Sequence, residues 1–314
     1  MDKTIRPYLE QLLAIYWLRP ESALWRSLDC RLMHDVLPPR GSKGADFGCG
    51  TGTLSYVMAG GRVLDYDDYM NVSHLISYSK GADIYNSKPV IKPTLDASGL
   101  RYTFAYGIDH KEGLIDKADQ LNGFYEHTLL HDLNKPLPLE DDSLDWGFSN
   151  VLYWLKDVSK VLKGWARVLK KSGLLYLFVP NQHFKAKAWL YYKSPHQGDK
   201  AYLNYFDRGY NSLIHHFYSQ KQWGTLFKKS GYRILTHQSY LSNPVMEIWN
   251  IGLRPISPLL IEMASRLAPG ERNATKLKWI KFFRDFFMPV LENERAHKRA
   301  EKDCAFHFFI LENN

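Results

Sequence analysis

Cysteine is scarce: Cys30, Cys49 and Cys304 are the only three in 314 residues, and they form no C-x-x-C pair. This excludes a disulfide framework and a cysteine-built zinc site, and it points to a reducing compartment, the cytoplasm. Also missing is any apolar run of the roughly 20 residues that a transmembrane helix needs. The stretch LLAIYWL follows Lys3 and Arg6, but it is short, Glu10 precedes it and no small-residue cleavage site comes after it. It reads as a helix of the protein itself and not as a signal peptide. The formal net charge is +8, yet no arginine-rich arm, RNP-like strand or helix-turn-helix pattern concentrates it. That argues against a nucleic-acid partner and leaves an anionic substrate or surface.

What the chain does have is alternation. Residues 4–18 and 21–35 read as two amphipathic helices broken at Arg19-Pro20. A short strand, a glycine-dense turn and a helix at about 52–59 follow. Residues 62–101 fit no simple pattern. Beyond them come YTFAYGID (strand), KEGLIDKADQL (helix), YEHTLLHD (strand), SLDWGFSN (strand), VSKVLKGWARVLKK (helix) and GLLYLFVPN (a fully apolar strand). Strands alternating with helices predict a parallel sheet covered on both faces. The strands end in Asp109, Asp132, Asn150 and Asn181. Ligands of such sheets sit beyond the carboxyl ends of the strands, so these polar ends mark a site.

The turn in KGADFGCGTGTLS has G-x-G-x-G spacing at Gly48, Gly50 and Gly52, with Thr53 where a dinucleotide fingerprint needs its third glycine. No lysine follows it, so it is not a nucleotide P-loop either. Asp46, two residues before the first glycine, would repel a pyrophosphate and suits an ammonium. A ligand with an amino acid tail and a nucleoside body fits, and S-adenosylmethionine (SAM) has both.

ADFGCGTG resembles the first motif of class I SAM-dependent methyltransferases, and YGIDHKEGLIDKA, LLHDLNKPLPLEDDSLDWGFSNVLYWL, RVLKKSGLLYLFVPN and HHFYSQKQWGTLFKKSGY continue the resemblance in order. It spans about residues 22–240 and is similar to the group that methylates small molecules. The resemblance implies a Rossmann-like α/β fold with a seven-stranded, mostly parallel sheet, N-terminal helices and a helical C-terminal cap. It implies one domain: helices over 1–40, a SAM-binding core over 41–181 with an insertion at 62–101, and a substrate and cap region over 182–314. SAM would lie on Asp46, Gly48, Cys49, Gly50 and Gly52. Asp109 would take the ribose hydroxyls, with His110 against the adenine, Asp132 and Leu133 at the adenine edge, and Asn150 beside the methionine end. Asp65 or Asp67 would match the usual ribose-acid spacing better, but VLDYDDYMNV lacks the following helix, so Asp109 is preferred. Cys49 is a small filler of the turn and no nucleophile.

Methyl transfer from a sulfonium is an in-line displacement in which the enzyme chiefly supplies position. A hydroxyl acceptor also needs a base, and His183, His215 and His216 are the candidates. Tyr153 and Trp154 are candidate walls of the acceptor pocket, while Trp25 and Arg26 would close over the cofactor, Arg26 meeting its carboxylate. No metal is expected. The acceptor is expected to be a small molecule, a sugar or secondary metabolite methylated at oxygen, in free or lipid-linked form. Rival readings are a non-catalytic binding protein of this fold, an NAD-dependent dehydrogenase, and a glycosyltransferase holding a metal on Asp65 and Asp67.

In the tail, Trp279, Ile280, Phe283, Phe287 and Val290 form one stripe at helical spacing, with Lys278, Lys281 and Asp285 facing elsewhere. This helix reads as a lid packed on the pocket, or as a basic aromatic helix lying on a membrane surface. CAFHFFILEN is predicted as a last, antiparallel strand beside YRILTHQSYL. Nothing in the sequence specifies the oligomeric state.

Overall fold

The computed structural model describes residues 4–65, 93–196, 198–206, 214–296 and 299–314. Two helices open the chain, α1 (Ile5–Ile15) and α2 (Pro20–His34). Arg19-Pro20 separates them because proline fits the first turn of a helix, where its missing N–H leaves no partner wanting. Next come β1 (Gly44–Phe47), α3 (Thr53–Met58), β2 (Arg62–Asp65) and β3 (Thr94–Asp96). The core continues through β4 (Phe104–Asp109), α4 (Glu112–Ala118), β5 (Tyr125–Leu130), β6 (Leu144–Ser149), α5 (Val158–Val168) and β7 (Leu169–Pro180). Several short helical turns lead to α6 (Gln220–Lys229) and β8 (Tyr232–Ser242). The cap helices α7 (Ser257–Ser265) and α8 (Pro269–Ala296) precede the last strand, β9 (Cys304–Asn313).

Seven strands make one sheet in the order β5-β4-β1-β6-β7-β9-β8. β5, β4, β1, β6 and β7 run parallel, and β9 is antiparallel to both β7 and β8. This is the Rossmann-like arrangement expected from the sequence. From β1 the chain builds outward through β4 and β5, then returns to β6 on the other side. The reversal opens a crevice beyond the carboxyl ends of β1 and β6. The sheet centre is almost wholly apolar, with Phe47 stacked on Trp165 at 4.5 Å and Trp146 buried beside Phe104.

Two local differences from the sequence reading have physical reasons. The helix predicted to run to Lys171 ends at Val168, and Leu169–Lys171 already belong to β7. Leu169 pairs with Leu144 and is fully buried, and Lys170 is drawn to the Asp145 carboxylate at 2.7 Å. Ser172 at φ 63° then takes up the register shift before the apolar run begins. The patternless segment starts and ends in a separate ribbon: β2 pairs with β3 alone, antiparallel, outside the main sheet.

Candidate active site at the carboxyl ends of the strands

The turn between β1 and α3 is built from glycines at positive φ, 90° at Gly48, 57° at Gly50 and 71° at Gly52. Gly48 is required twice over, since a Cβ there would stand 2.1 Å from a Val151 methyl. The turns after β1 and β6 therefore meet at this point. A Cβ on Gly50 would meet nothing within 4 Å, so the space over the middle of the turn is open.

The turn is tied to β4. The N–H groups of Gly48 and Cys49 both donate to the Ile108 carbonyl, at 2.8 and 3.0 Å. Gly50 N–H donates to Asp109 Oδ2 and Lys111 N–H to Asp109 Oδ1, each at 3.1 Å. The carboxylate is fixed by one amide on each oxygen, and each oxygen keeps acceptor capacity for a ligand. Asp109 sits on the strand beside β1, whereas Asp65 ends the separate ribbon and Asp67 lies outside the described residues.

His110 exposes its ring next to this acid, Nδ1 lying 3.4 Å from Asp109 Oδ1. Its pKa is raised, first by the hydrogen bond to Asp109 and then by that residue's charge, against partial burial. Asp132, just past β5, accepts the backbone and side-chain N–H groups of Asn134 on Oδ1, both at 2.9 Å. The backbone bond is the main reason its carboxyl is held below the ordinary range. Leu133 is buried beside it, and Asn150 lies half-buried at the end of β6.

Asp46 lies beneath the turn. It is 1% exposed, and its Oδ2 accepts Ser55 Oγ–H at 2.5 Å and Tyr125 O–H at 2.8 Å. Burial pushes its carboxyl up to about 7, the two hydrogen bonds and the nearby Asp109 being smaller influences. A bound cation nearby would pull it back towards the ionised form. Burial likewise drives the Cys49 thiol well above its usual value, with Asp46 and Asp109 adding to the effect. The thiol stays protonated, as suits a filler.

The candidate base and pocket residues separate. Tyr153 is wholly buried, edge-on to Phe306 at 5.6 Å, and Trp154 is half-buried against it. His216 has both ring nitrogens engaged, Nε2 with the Leu155 carbonyl at 2.8 Å and Nδ1 with the Tyr218 hydroxyl at 3.1 Å. Burial lowers its pKa, so the ring is neutral, with the proton on Nε2 donated to the carbonyl. His215 donates its backbone N–H to the Tyr153 carbonyl at 3.1 Å and exposes its ring. His183 follows the end of β7, its N–H on Asn181 Oδ1 at 2.8 Å and its ring Nε2 3.3 Å from the Gln182 amide.

Two expectations need correction. Trp25 is no flap: it is 2% exposed and packed edge-on to Trp249 and Phe306, both at 4.8 Å. Arg26 turns its guanidinium to the buried Asp29 at 2.7 Å, and Asp29 also takes the Tyr240 hydroxyl at 2.7 Å. The sequence reading missed this inner network, as it missed Ser55 and Tyr125 under Asp46, because long-range partners leave no periodic trace. It also missed a surface groove of about 340 Å³ whose lining includes Lys187, Trp189, Asn243, Met246, Glu247 and Ile251. This groove lies beyond the ends of β7 and β8, on the same edge of the sheet as the glycine turn.

Residues 93–177, from just before β3 into β7, match the family model described as Methyltransferase domain. No curated protein matches the chain. Among solved structures, it is similar to a putative sarcosine dimethylglycine methyltransferase from Galdieria sulphuraria, at 15% identity, covering 94% of this chain and 85% of that one with a TM-score of 0.48. It is also similar to an S-adenosylmethionine-dependent methyltransferase from Mesorhizobium loti, at 14% identity, 92% and 97% coverage and a TM-score of 0.47. Geranyl diphosphate C-methyltransferase from Streptomyces coelicolor A3(2), solved with S-adenosyl-L-homocysteine, shares 11% identity over 94% and 84% of the two chains, with a TM-score of 0.46. The matched segment covers β3 to the middle of β7 in a sheet of Rossmann-like order, so this part of the chain is similar to a methyltransferase domain.

Proposed function

We propose that the chain is a SAM-dependent methyltransferase acting on a small-molecule acceptor, methylating a hydroxyl of a sugar or secondary metabolite, free or lipid-linked. The groove beyond β7 and β8 carries this reading. Its volume of about 340 Å³ is that of a small-ligand site. Its lining pairs polar Lys187, Asn243 and Glu247 with apolar Trp189, Met246 and Ile251, which suits a molecule with a hydroxylated head and an apolar body.

SAM would lie over the open centre of the glycine turn. Asp109 would accept its ribose hydroxyls, His110 would cover the adenine face, and Asp132 and Leu133 would meet the adenine edge. Asn150 would lie at the methionine end, and Asp46, ionised by the ligand's positive charge, would hold the ammonium from below. SAM supplies the activated methyl group. The chain's part is to align the acceptor oxygen and receive its proton. His215 is the preferred base, because its ring is exposed next to the turn that follows β6, while the His216 ring is committed on both sides.

We read the chain as one domain working in the cytoplasm, a reading supported by its three free cysteines. The test is transfer of labelled methyl from SAM to a panel of free sugars, glycosides and lipid-linked glycans. Turnover on hydroxylated acceptors, blocked by S-adenosylhomocysteine, is the expected result. Labelling of proteins, nucleic acids or amines alone would overturn the acceptor assignment.

A further inference from the structure

The exposed apolar side chains are not evenly spread. Among the described residues thirteen large hydrophobics are exposed, and seven of them fall between Ile251 and Phe286. The same 36 residues hold seven Lys and Arg against three Asp and Glu, a net +4, half of the chain's +8. Arg254 and Lys276 of this count are buried, so the exposed positive charge beside the apolar residues centres on Lys278 and Lys281 of α8.

Helix α8 organises the two. Its buried side carries Phe283, Phe287 and Leu291, with Trp279 and Ile280 half-buried, and Arg284 anchors it to Glu10 of α1 at 3.3 Å. Its outer side has two neighbouring rows at four-residue spacing. One row is Lys278, Phe282, Phe286, in which the two rings lie nearly parallel 6.2 Å apart and are 62% and 48% exposed. The other is Leu277, Lys281, Asp285, and the only acid in it is paired with Arg284 at 2.8 Å. On α7, Leu259 and Met263 form a further exposed pair one turn apart. No helix among the described residues is long and apolar enough to cross a membrane.

We propose that α8 docks the enzyme on an anionic lipid surface, with Phe282 and Phe286 entering the headgroup boundary and Lys278 and Lys281 meeting lipid phosphates. Two large aromatics in one row, bordered by lysines with their single acid neutralised, match an interfacial helix in both side-chain chemistry and sign. A protein partner of ordinary composition would not call for exposed lysines on both rows beside the aromatic pair. The proposal stands apart from the acceptor assignment, since it concerns where the enzyme sits and not which atom it methylates.

The experiment is co-sedimentation of the full chain with vesicles of phosphatidylcholine alone and of phosphatidylcholine mixed with phosphatidylserine. Binding is expected only to the mixed vesicles, weakening as salt rises. Phe282→Ser/Phe286→Ser and Lys278→Glu/Lys281→Glu should each weaken it by about tenfold or more. Both double variants change exposed side chains, so circular dichroism and S-adenosylhomocysteine affinity should match the parent. Equal binding by parent and variants, or no binding to anionic vesicles, would overturn the proposal. So would a concentration-dependent dimer abolished by the phenylalanine changes, because a second copy would then be the occupant.

Discussion

Asp109 reaches from the end of β4 to the glycine turn, where its Oδ2 accepts the N–H of Gly50 at 3.1 Å. One side chain thus fixes the turn and offers acceptors to whatever lies on it. Asp109→Ala should lower S-adenosylhomocysteine affinity by about 1.5–3 kcal/mol, roughly 10- to 150-fold, because two hydroxyls lose a charged partner. Calorimetry on this variant and on Asp67→Ala is the check. A loss confined to Asp67→Ala would move the ribose site off β4.

Gly50 and Gly48 should respond differently to alanine. At Gly50 the added methyl has open space, and the left-handed backbone costs about 1–2 kcal/mol of stability. If the cofactor lies over the turn, the methyl intrudes on it, and affinity should fall at least about tenfold in a protein that still folds. Gly48→Ala drives a methyl into Val151 and should lower the melting temperature more than Gly50→Ala does. Unchanged affinity in folded Gly50→Ala would place the cofactor elsewhere.

His215 and His216 are adjacent in sequence and unequal in surroundings. His215→Ala should reduce kcat by about 10²- to 10⁴-fold with cofactor affinity intact, as for loss of a general base. His216→Ala removes the bond to the Leu155 carbonyl and should cost about 1 kcal/mol of stability with a smaller effect on kcat. Steady-state kinetics and thermal melts on both variants decide the matter, and the reverse pattern would make His216 the base.

Asp46 makes a pH prediction with a definite sign. Its folded value of about 7 lies above its usual 3.8, so between those values the folded state binds more protons than the unfolded one and stability falls as pH rises. The whole penalty, on the order of 4 kcal/mol, is present above about pH 7 and absent below about pH 4. His307 acts in the opposite sense over an overlapping range. Burial, with His237 beside it, pushes its ring down to about 3, so stability from the neutral ring is lost as pH falls from 6.5 towards 3. The readout is therefore the difference between Asp46→Asn and parent in denaturant melts without ligand. It should grow in favour of the variant from pH 4 to pH 8, and saturating S-adenosylhomocysteine should shrink it if the ligand's ammonium keeps Asp46 ionised. A difference independent of pH would mean that Asp46 is ionised throughout.

Much of this molecule is legible in its sequence because local rules write it there. The apolar β7, the proline break before α2, the glycine turn and the antiparallel β9 each follow from period, breaker residues or composition. Even the exposed lysines and buried phenylalanines of α8 follow from helical spacing. What the sequence hides are pairings across the fold. Nothing near Asp29 says that Tyr240 will bond it, so Arg26 reads as available when it is taken. Trp25 sits on an amphipathic helix yet ends buried, since Trp249 and Phe306 arrive from more than 200 residues away. The surface groove is hidden for the same reason, being assembled from segments around residues 187 and 247.

The small ribbon of β2 and β3 has a consequence for how such a chain can change. Arg62 stands opposite Asp96, so the two ends of the intervening stretch leave the fold side by side. A segment entering and leaving through one doorway can lengthen, shorten or be exchanged at little entropic penalty, because closure cost grows only slowly with loop length. The seven-stranded sheet would not register the exchange. Residues 62 and 96 thus form a natural graft point, where new material can be joined to the chain while its glycine turn stays in place.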